Sequence, residues 1–134
     1  MRVVLEASPR AQHKWRVTFP DCSFVDFGGR GYSDFTKHRD AARMRRYVVR
    51  HGGRPSAAVL RLTDGRAIQQ AMLGVAASTS EDWSASGVRT AGFWSRWLLW
   101  SHASLREARS FVSAHFGVAF ARAKPRSCRA GAAA

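Results

Sequence analysis

The chain has 134 residues, enough for one domain with a modest core and too few for two sizeable ones. Hydrophobic residues make up 46% of the chain, and its apolar runs are far shorter than the ~20 residues that a membrane-spanning helix needs, so we expect a soluble protein. Lysine and arginine number 22 against 9 aspartate and glutamate residues, and this net charge of +13 predicts attraction to polyanions.

The N-terminal part of the chain predicts a β-hairpin. Residues 13–19 alternate apolar and polar side chains, which is the period of a half-buried strand. One face of this strand carries Trp15, Val17 and Phe19. Residues 20–23 then read as the turn and residues 24–27 as the returning strand. Residues 2–6 are expected to form a short edge strand of the same sheet.

The segment 28–31 is rich in glycine and follows the hairpin directly. The backbone N–H groups of such a segment can cradle a phosphate. The Gly-Lys-Ser/Thr ending of a P-loop is missing here, however, and this weakens the phosphate interpretation. A tight exit from the hairpin is therefore favoured.

Asp34, His38 and Asp40 place two carboxylates and an imidazole within seven residues. A nuclease can use such a group to hold a metal or a base. Further carboxylates would be needed for phosphoryl chemistry, and the acidic residues of this chain are few and scattered. We therefore predict no enzymatic activity, no metal and no cofactor. The structural alternative is that Asp34 or Asp40 caps the next helix, with Tyr32 packed beside it.

Residues 40–51 predict a helix, with Asp40 near its start and glycines after its end. Its apolar face carries Met44, Tyr47, Val48 and His51. A different face carries Arg39, Arg43, Arg46 and Arg50, a set that we call the arginine stripe. The stripe is either a phosphate-contacting surface or an ordinary solvated face, and the high net charge supports the first interpretation.

Residues 55–80 predict an inserted excursion of low functional content. Residues 59–62 suggest a short strand, which a turn follows at residues 63–65. Apolar side chains then recur at helical spacing over residues 68–75, although Gly74 and a run of small residues weaken this helix.

The segment 90–100, which we call the tryptophan segment, contains three of the five tryptophans of the chain, and Trp83 lies just upstream. Thr90 is a suitable N-cap, and the following helix is apolar nearly all round, which predicts burial. Only Ser95, Arg96 and Leu99 are expected to point elsewhere. The residues assigned to the core or to a partner contact are Trp83, Phe93, Trp94, Trp97 and Trp100. Stacking on nucleic-acid bases is the alternative, but few basic residues interleave with these rings.

A capping box, Ser104 to Glu107, predicts the start of a last helix, and Gly117 predicts its end. The buried face of this helix is expected to carry Leu105, Ala108, Phe111, Val112 and His115. Residues 118–120 predict a final short strand that returns to the hairpin. Residues 121–134 are basic and rich in alanine, and we expect this tail to be disordered.

The two cysteines, Cys22 and Cys128, form no CxxC pair and no regular spacing. They are expected to be reduced thiols in an intracellular protein.

Two long motifs, residues 31–51 and residues 81–118, are similar to sequences of small basic proteins from giant (nucleocytoplasmic large) DNA viruses of algae and amoebae. The first begins Gly-Tyr-Ser-Asp-Phe-Thr-Lys-His-Arg-Asp, and the second contains Arg-Thr-Ala-Gly-Phe-Trp-Ser-Arg-Trp-Leu-Leu-Trp. The resemblance extends over residues 13–54 and 81–120 and implies a viral origin and one shared domain, without any activity or catalytic residue. Because the family lacks an equivalent of residues 55–80, this insertion is expected to leave and rejoin the core at neighbouring points.

Residues 1–120 are thus predicted to form a single α+β domain, in which an N-terminal hairpin packs with three to four helices and a short C-terminal strand. The favoured function is non-enzymatic binding of DNA or RNA through phosphate contacts, with little sequence selectivity. The contacts are assigned to Lys37, Arg39, Arg43, Arg46 and Arg50. The alternative is a virion structural or assembly protein that meets other virion proteins through the tryptophan segment. The expected location is the infected host cell or the virion.

Overall fold

The computed structural model describes residues 1–129 and confirms the α+β class. Its sheet consists of β1 (Arg2–Ala7), β2 (His13–Thr18), β3 (Phe24–Gly29) and β4 (Ala119–Phe120), in the order β3-β2-β1-β4. The predicted hairpin is formed by β2 and β3, which pair antiparallel with Trp15 opposite Phe27.

The first strand does not occupy an edge of the sheet. β1 pairs antiparallel with β2 on one side and parallel with β4 on the other, where Arg2 lies opposite Ala119. The last strand therefore joins β1 and not the hairpin. The edge prediction is wrong because a parallel partner from the far end of the chain leaves no trace in the local pattern of residues 2–6.

The helices are α1 (Phe35–His38), α2 (Ala41–Arg50), α3 (Ala57–Leu60), α4 (Gly65–Met72), α5 (Ala91–Trp94) and α6 (Leu105–Phe116). A π-helical stretch, Ser95–Leu99, continues α5. The predicted caps are confirmed: Asp40 accepts hydrogen bonds from the first turn of α2, and Ser104 accepts one from the Glu107 N–H. Gly117 ends α6 in the left-handed conformation, with φ +67°.

The tryptophan segment forms the centre of the core, between the sheet and the helices. Trp83, Phe93, Trp94 and Trp97 are all at most 1% exposed, whereas Trp100 is half-buried. The indole N–H of Trp94 donates to the Val88 carbonyl at 2.6 Å, and that of Trp97 donates to the Trp83 carbonyl at 2.8 Å. The predicted core role is confirmed for these rings, because burial is combined with a hydrogen-bond partner.

Arg96 and Leu99 were expected to point away from this core, but they are 0% and 3% exposed. The insertion covers Arg96, since the guanidinium donates to the carbonyls of Met72 and Val75. Leu99 instead lies close to Gly28 at the end of β3. Helical periodicity alone cannot predict this burial, because it groups residues on one face of a helix without identifying the segment that packs against that face.

The insertion leaves and rejoins the domain at neighbouring points, as predicted. Gly53 and Ser78 form an isolated antiparallel bridge, and the Thr79 N–H donates to the Gly52 carbonyl at 3.0 Å. The strand predicted for residues 59–62 is wrong, because Ser56 caps the short helix α3 there. The insertion also contributes Ile68 and Met72 to the core, so it is part of the fold and not a detached loop.

The tail holds defined positions over residues 121–129, where disorder was expected. Cys128 forms a disulfide with Cys22 in the β2–β3 turn, and Lys124 pairs with Glu6 at 3.3 Å. The prediction of two reduced thiols is wrong, because a pairing across 106 residues has no signature in cysteine spacing. The remainder of the predicted disordered tail, residues 130–134, lies outside the described residues.

None of the helices in residues 1–129 has the length and apolar character that crossing a bilayer requires.

Candidate nucleic-acid interface

The outer face of α2 is covered by arginine side chains. Met44, Tyr47 and Val48 are buried against the core, so a different face of the helix is exposed to solvent. Arg43, Arg46 and Arg50 lie on that face and are exposed. The helix therefore presents three of the four residues of the arginine stripe to solvent.

Three of the stripe residues have uncommitted guanidinium groups. Within residues 1–129, the side chains of Arg43, Arg46 and Arg50 take part in no hydrogen bond and no ion pair. Arginine offers five N–H donors in a planar fork that matches the oxygens of a phosphate. The stripe is therefore a set of free donors with uncompensated positive charge.

Arg39 and Lys37 lie just before α2 and extend the basic surface. Arg39 is exposed and adopts the left-handed conformation, with φ +55°, and its Nε donates to the Ala103 carbonyl at 3.2 Å. Lys37 is exposed in the last turn of α1. All five predicted contact residues are therefore on the surface, but one N–H of the Arg39 guanidinium is already bonded to the segment that precedes α6.

Arg45 lies on the same helix but has a different role. It is half-buried, and its Nη1 donates to the Val59 carbonyl at 2.7 Å and to the Leu62 carbonyl at 2.9 Å. This arginine fastens the insertion to α2. Because successive residues of a helix are rotated by about 100°, Arg45 lies on a different face of α2 from the stripe residues.

A cleft of about 390 Å³ opens beside the stripe, between α2 and the loop that follows β3. We call it the Tyr32 cleft. Its walls include the two glycines at the end of β3, the side chains of Tyr32 and Trp100, and the stripe residues Arg43 and Arg50. The cleft therefore combines aromatic surface with free cations.

The inner wall of the Tyr32 cleft is a stack of three rings. Tyr47 lies parallel to Trp100 with centroids 4.2 Å apart, and His51 stacks on the other side of Tyr47 at 4.0 Å. Burial raises the pKa of Tyr47 above its ordinary value, so the phenol stays neutral. His51 Nδ1 is 3.2 Å from Glu81 Oε2, and this contact fixes the outer ring.

One carboxylate, Asp34, lines the Tyr32 cleft, and it is neutralised within the protein. Asp34 is 1% exposed, and its Oδ2 accepts a hydrogen bond from Lys14 Nζ at 2.6 Å. Its other oxygen accepts from the Thr36 N–H at 2.9 Å, which caps α1. Because Lys14 and Asp34 cancel, the charges of Arg43 and Arg50 dominate the cleft.

The triplet proposed for metal or base chemistry has structural roles. Asp34 caps α1 and Asp40 caps α2, while His38 Nδ1 accepts from the Asp40 N–H at 2.9 Å. Desolvation lowers the pKa of His38 below its ordinary value, and nearby Arg43 lowers it further. Within residues 1–129, no three His, Cys, Asp or Glu side chains come together as metal ligands.

The exposure of Tyr32 was not predicted from the sequence. This residue was expected to pack beside a helix cap, but its side chain is 77% exposed. The Cδ2 edge of the ring lies close to Gly29, where an added Cβ would come within 2.8 Å of the Tyr32 Cδ2 atom. The only signal in the sequence is the glycine-rich exit of the hairpin, which leaves room for an aromatic ring against the backbone.

Comparison with protein families matches residues 3–51 to a family of unknown function (DUF5754). The matched region includes the first three strands and α2, and therefore the arginine stripe and Tyr32, but it stops before the tryptophan segment. A search of the curated proteins and a search of the solved structures each found no match.

Proposed function

We propose that this protein binds nucleic acid without catalysis, by holding the phosphate backbone against the arginine stripe. The observation that supports the proposal is that Arg43, Arg46 and Arg50 are exposed on one helix face and have no partner within residues 1–129. Phosphate contacts position a strand without reading its bases, so little sequence selectivity is expected, and DNA and RNA are both candidate targets.

A virion structural or assembly protein that uses the tryptophan segment as a contact has less support. Trp83, Trp94 and Trp97 are buried in the core, so a partner protein would reach only part of Trp100. The giant-virus origin and the location in host cell or virion rest on the resemblance of two motifs. The disulfide favours an oxidising environment at some stage of the life of the protein.

The proposal is tested by fluorescence anisotropy of labelled DNA and RNA over a series of salt concentrations. Affinity should fall steeply with salt, because each phosphate contact releases a counterion. Arg43→Glu combined with Arg46→Glu should weaken binding by about tenfold or more and lower the salt slope by about two.

The matched control is Arg122→Glu combined with Arg126→Glu, which makes the same change in net charge in the tail. Cys128 anchors the tail to the β2–β3 turn, whereas the Tyr32 cleft adjoins the other end of β3. The control should therefore weaken binding much less than the stripe variant. Equal losses in the two variants, or no binding at low salt, would contradict the proposal.

A further inference from the structure

We infer that the Tyr32 cleft binds an unpaired nucleotide, with its base against the Tyr32 ring and its phosphate at Arg43 and Arg50. This inference rests on the proposed function and adds a preference for single strands over duplex. It adds the Tyr32 ring to two residues of the stripe, because the stripe alone would bind any phosphate backbone.

The exposure of Tyr32 is the first observation. At 77%, it is the most exposed of the large hydrophobic side chains in residues 1–129. Phe24 is also exposed, but the Arg16 guanidinium lies 3.6 Å from its ring centroid and covers it. Within residues 1–129, no aromatic ring or cation packs against the Tyr32 ring, and the Cδ2 edge of the ring lies near Gly29, so the exposed ring is available for stacking.

The position of the two free arginines is the second observation. Arg43 and Arg50 are seven residues apart, which places them about 10 Å apart along α2, and both line the cleft. Lys14, the other cation in the lining, is engaged by Asp34. The cleft thus presents two uncommitted guanidinium groups beside an open aromatic face.

The ligand class follows from this combination. The two arginines select an anion, and the Tyr32 ring offers stacking to a flat apolar face. A nucleotide has both groups in one unit. In a duplex the base is stacked inside the helix and could reach Tyr32 only by being flipped out at an energetic cost. The cleft therefore favours a nucleotide that is already unpaired, either free or within a single strand.

The experiment compares a labelled single strand with a blunt-ended duplex of two complementary strands and equal total charge, using wild type, Tyr32→Ala and Tyr32→Phe. Tyr32→Ala should weaken single-strand binding about tenfold and leave duplex binding within about twofold, because the loss is that of one stacked base. Tyr32→Phe keeps a ring and should bind both probes like wild type. The thermal midpoints should be equal, since Tyr32 is mainly exposed.

A separate titration with adenosine monophosphate distinguishes the two sources of the nucleotide. Binding of the free nucleotide that Tyr32→Ala abolishes would identify a mononucleotide site, and binding of the single strand alone would identify a strand site. The inference is overturned if Tyr32→Ala affects single strand and duplex equally or affects neither. If the stripe variants still bind both probes more weakly in that case, the proposed function stands. If the stripe variants bind both probes as wild type does, the proposed function itself is overturned.

Discussion

Arginine occurs in two opposite settings in this protein, the arginine stripe on α2 and the interior of the tryptophan segment. Arg43, Arg46 and Arg50 are exposed and have no partner in residues 1–129, whereas Arg96 is 0% exposed. The same planar cation is free to meet a ligand in the first setting and stabilises the fold in the second. The difference shows that a count of basic residues overstates the charge that is free to bind.

Arg96 is held by backbone carbonyls and aromatic faces. Its Nη1 donates to the Trp100 carbonyl at 2.6 Å, and its Nη2 donates to the Met72 carbonyl at 2.6 Å. The guanidinium carbon lies 4.4 Å from the Trp97 ring centroid, within cation–π range. Burial lowers the pKa of Arg96 to about 10, so the group is still charged at neutral pH. It links the insertion to the π-helical stretch without a carboxylate partner among the described residues.

The largest effect is expected when one arginine is removed from each setting. Arg96→Met should lower the free energy of unfolding by about 3 kcal/mol, because three carbonyls at the core lose a charged hydrogen-bond donor. Arg46→Met should change it by less than about 0.5 kcal/mol and weaken nucleic-acid binding instead. Urea denaturation measures the first quantity. Similar stabilities of the two variants would mean that Arg96 does not hold the core.

Removal of the disulfide tests whether the tail contributes to stability or to nucleic-acid binding. Cys22→Ser combined with Cys128→Ser should cost about 2–4 kcal/mol, because the bond closes a loop of most of the chain. Nucleic-acid affinity should stay close to that of wild type if the stripe carries the contacts. Thiol labelling before and after reduction checks the bond first. Labelling of the native protein without reductant would contradict the pairing.

The smallest effect on stability is expected at His38, which lies between the tryptophan segment and the arginine stripe. His38 lies against Trp100, with ring centroids 5.4 Å apart, and Arg43 and Arg46 on α2 oppose its charge. Because desolvation lowers its pKa in the folded state, its contribution to stability is complete above about pH 6.5 and is lost as the pH falls through that value towards the lower folded pKa.

Thermal midpoints recorded from neutral to acidic pH measure this loss. His38→Asn keeps an acceptor near the Asp40 N–H but does not titrate, so its midpoint should fall less on acidification than that of wild type. His102 also has a pKa that desolvation lowers, so part of the acid sensitivity should persist in His38→Asn. Identical pH profiles for wild type and variant would rule out His38 as a contributor.

Much of the fold could be predicted because its signals are local. The alternation of residues 13–19, the caps at Asp40 and Ser104, and the stop at Gly117 each act within a few residues. The position of β1 and the pairing of Cys22 could not be predicted, because both depend on segments more than 100 residues away. The candidate site divides in the same way: helical spacing predicts the stripe, whereas the position of Tyr32 beside α2 depends on the loop that follows β3.

The strands of the hairpin, the helix that carries the stripe and the apolar character of the tryptophan segment follow from local sequence patterns, because periodicity and capping act along the chain. Which cations are free depends on contacts between segments that are distant in the chain. Arg96 is buried because the insertion supplies carbonyls above it, and Arg45 is engaged for the same reason. Arg43 and Arg50 are available because no acidic side chain of the described residues pairs with them. Charge is a property of composition, but its availability depends on which donors and acceptors the fold brings together.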